Sequence, residues 1–124
     1  MPKLRQSPLS LTIRIDISDD AWIGHGKIEL LEAIADCGSI SAAGRAMNMS
    51  YKRAWDLVEE TNQIFGRDVV QRQVGGKHGG STALTDFGKE LIKRYRRIER
   101  VAATAAYDDL AALKSDVTRR KRIS

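Results

Sequence analysis

The chain has 124 residues, 42% hydrophobic and 30% charged, with a net charge of +5. That length supports one domain around one modest core, and the absence of a bilayer-length apolar run or a secretory h-region makes a cytoplasmic location the expectation, with no membrane partner. One cysteine excludes an internal disulfide framework, and His25 and His78 stand apart from any thiol or carboxylate cluster, so neither a metal nor another cofactor is expected.

The charge is uneven. Residues 1–65 hold seven Lys/Arg against nine Asp/Glu, and residues 66–124 hold fourteen against seven. A basic second half without a strongly apolar amphipathic face suits nucleic acid better than a membrane surface.

Residues 1–8 contain both prolines, Pro2 and Pro8, and no periodicity, which predicts a flexible arm. From Leu9 to Ile17 the apolar residues alternate strictly, the clearest strand signal in the chain. Its partner is expected to be the strand region after residue 69 or the same strand of a second copy, within or between protomers. Ser18-Asp19-Asp20 ends it. Lys27–Asp36 reads as a helix on the set Ile28, Leu31, Ala33, Ile34 and Ala35, with Cys37 as packing filler and Gly38 closing the helix.

Gly38 to Asn62 is the stretch on which the reading turns. Ser41 is an N-cap for a short helix carrying Ala42, Ala43, Ala46 and Met47; Asn48, Met49 and Ser50 form a turn, and Ser50 caps a second helix over Tyr51–Phe65. Its period puts Ala54, Leu57, Val58, Thr61 and Phe65 on one face, flanked by Tyr51 and Trp55, with packing as the role of Trp55. The other face starts basic, with Lys52 and Arg53, and ends acidic, with Glu59 and Glu60. As a helix-turn-helix, this segment puts Lys52 and Arg53 against base edges or phosphates. An ordinary helical hairpin with a solvated face gives the same pattern.

Val69–Val74 and Ser81–Leu84 predict a β-hairpin with a glycine-rich tip over residues 75–80. A hairpin directly after a recognition helix is a wing, with Arg72 and Lys77 near the sugar-phosphate backbone. The tip is not a P-loop, because His78-Gly79-Gly80 follows Lys77 where Ser or Thr and a helix are required. Thr85 caps a long helix to about residue 113. In it Leu91, Tyr95, Ile98, Ala102 and Ala105 recur at coiled-coil spacing, either as a dimer seam or as cover for the protomer's own core. Residues 114–124 read as a basic, disordered tail.

The SISAAGRAMNMSYKRAW block, the V-x-R-x-x-G-G-K-x-G-G run and the A-L-T-x-F-G-K-E-L-I continuation resemble the N-terminal DNA-binding domain of ModE-type molybdate-dependent transcriptional regulators. The helix-turn-helix alone is similar, more widely and weakly, to LysR-type regulators. The resemblance covers about Leu9 to Ala105 and implies a homodimer that binds a pseudo-palindromic operator in double-stranded DNA. On matching positions Ser50, Tyr51, Lys52 and Arg53 read DNA, Arg72 and Lys77 belong to the wing, and the long helix dimerises.

The fold class expected is therefore mainly α with a small β component, a winged helix-turn-helix with an N-terminal strand and a long C-terminal dimerisation helix. Residues 1–8 form the arm, 9–113 the DNA-binding domain and 114–124 the tail. The function expected is sequence-specific regulation of molybdate-uptake or molybdoenzyme genes. The family's molybdate-binding region lies beyond the resemblance, so sensing is not carried over, and a separate effector protein is one possible source of the signal. The alternatives are a non-specific architectural DNA-binding protein and a direct oxyanion-sensing or protein-interaction module. No catalytic constellation is present, so no enzyme is expected.

Overall fold

A computed structural model describes residues 11–73 and 81–123, with side chains as far as Val117. Ile13–Tyr95 packs as one compact unit, and the residues from Arg96 onward belong to a second.

The first unit opens with a small antiparallel pair, β1 (Ile15–Asp16) against β2 (Trp22–Ile23), in the register Ile15 to Ile23 and Asp16 to Trp22. The strand expected over Leu9–Ile17 is thus paired only at Ile15–Asp16 among the described residues, and its partner there is β2 rather than the wing. The reason is local: Ser18-Asp19-Asp20 makes a turn closed by the Ile17 N–H to Ala21 carbonyl bond of 2.8 Å, which brings the next two residues back alongside. Alternation still governs exposure, with Leu11, Ile13 and Ile15 partly covered and Thr12, Arg14 and Asp16 exposed.

Helix α1 (His25–Cys37) begins two residues before the expected start. It buries Ile28, Leu30, Leu31 and Ile34, each at most 1% exposed. At about 1.5–3 kcal/mol per buried large aliphatic side chain, this stripe is a principal source of stability. Gly38 closes the helix at φ 76, in the left-handed region. Cys37 is exposed, and so are its neighbours Ala35 and Asp36; the last turn of α1 has rotated them away from the core, which corrects the reading of Cys37 as packing filler.

Helix α2 (Ile40–Ala46) starts earlier than predicted, because Ser39 rather than Ser41 is the cap: Ser39 Oγ accepts from the Ala42 N–H at 2.9 Å. That shift buries Ile40 and Ala43 and leaves Ala46 exposed. Helix α3 (Tyr51–Phe65) buries Ala54, Leu57, Val58 and Thr61, as its periodicity predicts. The two cross at Gly44, where an added Cβ would lie 3.3 Å from Ala54 Cβ, so only small residues fit on either side.

The chain then forms a hairpin of β3 (Val70–Gln73) and β4 (Ser81–Leu84), with Val70 opposite Leu84 and Arg72 opposite Thr82. The glycine-rich tip expected over residues 75–80, including Lys77, lies outside the described residues. Helix α4 (Asp86–Ala105) follows. Thr85 caps it as expected, its Oγ1 accepting from the Gly88 N–H at 3.0 Å while donating to the Asp68 carbonyl at 2.8 Å. Leu91 and Tyr95 enter the shared core with Val69, Leu84, Ile23 and the buried faces of α1 to α3.

In the second unit, α4 runs to Ala105 and α5 covers Tyr107–Ile123. Residues 114–123, expected as a disordered tail, are helical. Asp108 and Asp109 sit in the first turn of α5, where acidic groups favour a helix, and Ala, Leu, Lys and Arg further along are good helix formers.

Candidate nucleic-acid interface

The second helix of the motif has a well-built start. Ser50 Oγ accepts from the Arg53 N–H at 3.0 Å, and Asn48, at φ 57, takes the left-handed turn conformation that Asn tolerates well. Met49, half-buried, donates its N–H to the Gly44 carbonyl at 2.9 Å and fixes the angle between the helices. The hydroxyl of Ser50 therefore orders the first turn of α3 while its own proton stays free to donate.

Tyr51, Lys52 and Arg53 all project from this turn into solvent. Lys52 pairs with Asp56 one turn on, Nζ to Oδ2 at 3.1 Å, with its side chain 82% exposed. Such a surface pair contributes at most about 1 kcal/mol, so Lys52 is available to a stronger anion. Arg53 has no ion-pair partner among the described residues. Further along, Glu60 reaches back to Lys27 Nζ at 3.5 Å, while Glu59 faces solvent. The change of sign along α3 is thus preserved in three dimensions: exposed Lys52 and Arg53 at the start, Lys52 paired with Asp56 one turn on, and Glu59 and Glu60 beyond the second turn.

The hairpin is anchored to the far end of α3. Asn62 Oδ1 accepts from the Val69 N–H at 2.8 Å, and the Thr85 N–H donates to the Val69 carbonyl at 3.0 Å. Phe65 meets Phe87 edge to face at 5.3 Å between ring centres, and the Arg67 guanidinium lies 4.3 Å from the Phe87 ring centre. This corner fixes β3 relative to α3 and places exposed Arg72 beside the helix. Arg72 shares with Tyr51 and Trp55 an open groove of about 710 Å³ between α3 and the hairpin.

Trp55 stands differently from its expected place. It is 41% exposed and faces this groove, because the hairpin lies beyond its edge of the helix without covering it. Asn62 and Thr82 also line the groove and were not singled out from the sequence. Tyr51, Trp55 and Asn62 do recur at spacings of four and seven, a helical stripe, but nothing in the sequence says what lies opposite.

The five residues of the expected seam divide. Leu91 and Tyr95 are buried in the protomer's own core, and the Tyr95 hydroxyl donates to the Ile13 carbonyl at 2.5 Å. Ile98 is 46% exposed, Ala102 is partly covered and Ala105 is exposed, with Val101 beside them at 61%. Among the described residues there is no group of three or more His, Cys, Asp or Glu that could hold a metal ion, and no helix long and apolar enough to cross a membrane.

The order of three helices, hairpin and long helix is a winged helix-turn-helix, and comparison with known proteins agrees. The model of the bacterial regulatory helix-turn-helix protein, lysR family, matches residues 25–89, from the start of α1 through the wing to the first turn of α4. The chain belongs to that family. It is 35% identical over 124 residues to the transcriptional regulator ModE of Haemophilus influenzae, covering 98% of this chain and 48% of that one. It is 39% identical over 104 residues to the molybdenum transport protein ModE of Azotobacter vinelandii, covering 84% and 38%. The chain thus spans about half the length, or less, of the curated relatives it matches. In structure it is similar to the chain in the crystal structure of the CbnR_DBD–DNA complex, with a TM-score of 0.56 and 22% identity over 71% of this chain and 95% of that one. That likeness establishes the fold.

Proposed function

We propose that this protein is a dimeric, sequence-specific DNA-binding regulator of molybdate-uptake or molybdoenzyme genes. The observation that carries the DNA-binding part is the capped start of α3, which presents Lys52 and Arg53 to solvent on a helix braced from behind by α1 and α2. In this reading α3 enters the major groove. Ser50 and Tyr51 contact the backbone or base edges, Lys52 and Arg53 supply charge-assisted contacts, and Arg72 and Lys77 of the wing take phosphates or the adjacent minor groove. The acidic second half of α3 stays clear of the duplex. The gene class rests on the relatives, which carry the names transcriptional regulator and molybdenum transport protein.

Dimerisation follows through the exposed apolar positions Ile98, Val101, Ala102 and Ala105. Leu91 and Tyr95 support that helix from inside the protomer rather than lining the seam. Two-fold symmetry then requires a pseudo-palindromic site with half-sites about one helical turn apart or a multiple of it. In this reading a separate effector protein supplies the controlling signal.

A fluorescence-anisotropy titration at physiological salt tests this. A duplex selected from a random pool is compared with its scrambled version, with and without molybdate. A preference of about a thousandfold or more supports a specific regulator. Equal binding instead favours an architectural protein, for which the basic second half of the chain suffices.

A further inference from the structure

With α3 in a major groove and the β3–β4 hairpin at the adjacent minor groove, the sugar-phosphate ridge that divides the two must pass between them. The protein has a groove at that place. Its helix wall carries Tyr51 and Trp55, 57% and 41% exposed and one turn apart, and its hairpin wall carries Arg72 and Thr82. Two aromatic side chains four residues apart thus line the helix wall, and an arginine and a hydroxyl line the hairpin wall.

Resting on the DNA-binding reading above, we infer that Trp55 is a DNA contact whose indole packs on a deoxyribose of that ridge, next to Tyr51, while Arg72 and Thr82 receive the adjoining phosphate. A ridge of duplex DNA presents alternating apolar sugar faces and anionic oxygens, and the two walls match that alternation. The groove also fixes which end is used. Glu59 and Asp68 line the same groove, and Glu59 lies one turn, about 6 Å, along the helix from Trp55 and about 12 Å from Tyr51. Asp68 sits beside Val69, which bonds to Asn62 a further turn on. These two acids repel phosphate from the far end and confine the ridge to the end formed by Tyr51 and Trp55. Because the contact is to sugar and phosphate, it adds affinity without reading sequence.

The chain has two tryptophans, so Trp22→Phe leaves Trp55 as the sole indole. Acrylamide quenching is measured on this variant with and without a fluorescein-labelled duplex selected from a random pool, whose anisotropy reports binding in the same sample. Bound duplex should lower the quenching constant of Trp55 severalfold. In Trp55→Phe, where Trp22 reports, the constant should stay the same. If Trp22→Phe does not fold, 5-fluorotryptophan in the wild-type chain gives the two resonances needed for the same comparison.

Saturated anisotropy with Trp55 still fully quenchable overturns the inference while leaving the DNA-binding reading intact. A chain that binds no duplex overturns both. Protection of Trp55 by inorganic phosphate or molybdate alone also overturns it, by making the groove a small-anion site. In addition, Trp55→Leu should weaken the selected and scrambled duplexes alike, by about tenfold, with an unchanged salt slope. Arg72→Ala should lower that slope by about one. Unaltered affinity in Trp55→Leu would sink the assignment.

Discussion

The Asn62 side chain accepts a hydrogen bond of 2.8 Å from the backbone N–H of Val69, a residue with no solvent exposure. One amide oxygen on α3 thereby holds the root of the hairpin. Asn62→Ala leaves that buried N–H unpaired and should cost about 1–3 kcal/mol, read as a lower urea midpoint. Asn62→Asp keeps an acceptor there and should lose less. An unchanged midpoint in Asn62→Ala would mean the wing root is held by other bonds.

Gly88→Ala should be destabilising although it falls in the first turn of a helix. Propensity alone favours alanine by about 1 kcal/mol. A Cβ at position 88, however, would stand 2.2 Å from the Val69 carbonyl oxygen, so α4 must move away from the wing root and loosen the Thr85 cap bonds. We expect a net loss of about 1–3 kcal/mol by chemical denaturation. A gain in stability would refute the close approach.

Lys27 is 6% exposed and sits between three partners: the Trp22 ring centre at 4.2 Å, the Trp22 carbonyl at 3.3 Å and Glu60 Oε1 at 3.5 Å. It ties the β1–β2 pair to α1 and α3. Lys27→Ala should lower stability by about 1–3 kcal/mol through the lost cation–π contact and the lost packing of its stem. Combined with Trp22→Leu the losses should be less than additive, because each mutation removes the same contact. Full additivity in thermal melts would argue against the coupling.

Lys52→Ala and Arg53→Ala should each reduce affinity for a selected duplex by about 1–3 kcal/mol for a bidentate base contact, with little change in melting temperature because both side chains are exposed. Anisotropy titrations read the first effect and calorimetry the second. Wild-type affinity in both variants would place the recognition surface elsewhere.

On the C-terminal helices, Ile98→Asp together with Val101→Asp should convert a dimer to monomer in sedimentation equilibrium, since both side chains are exposed in the single chain. Tyr95→Phe should leave the oligomeric state alone and cost about 0.5–1.5 kcal/mol, the worth of its bond to Ile13. The opposite pattern would return Tyr95 to the dimer seam.

The sequence by itself determined the helix-turn-helix, the hairpin and the cap at Thr85. Each depends on contacts close in sequence: Ser50 to Arg53, Thr85 to Gly88, and the buried stripe Ala54, Leu57, Val58 and Thr61 set by helical period. Even its error there was local: the cap expected at Ser41 lies two residues earlier, at Ser39, in the register that buries Ile40 and Ala43.

Only the tertiary structure decided what faces what. Whether Leu91 and Tyr95 turn toward a second copy or toward Val69 and Ile13 depends on elements more than fifteen residues away, to which a heptad pattern is blind. The same holds for Trp55. Its place at the edge of the apolar face was legible, but its exposure depends on how far the hairpin, held through Asn62 and Val69, stands from the helix. Periodicity assigns a side chain to a face of its own element; the neighbour that covers that face, or leaves it open, is set by long-range packing.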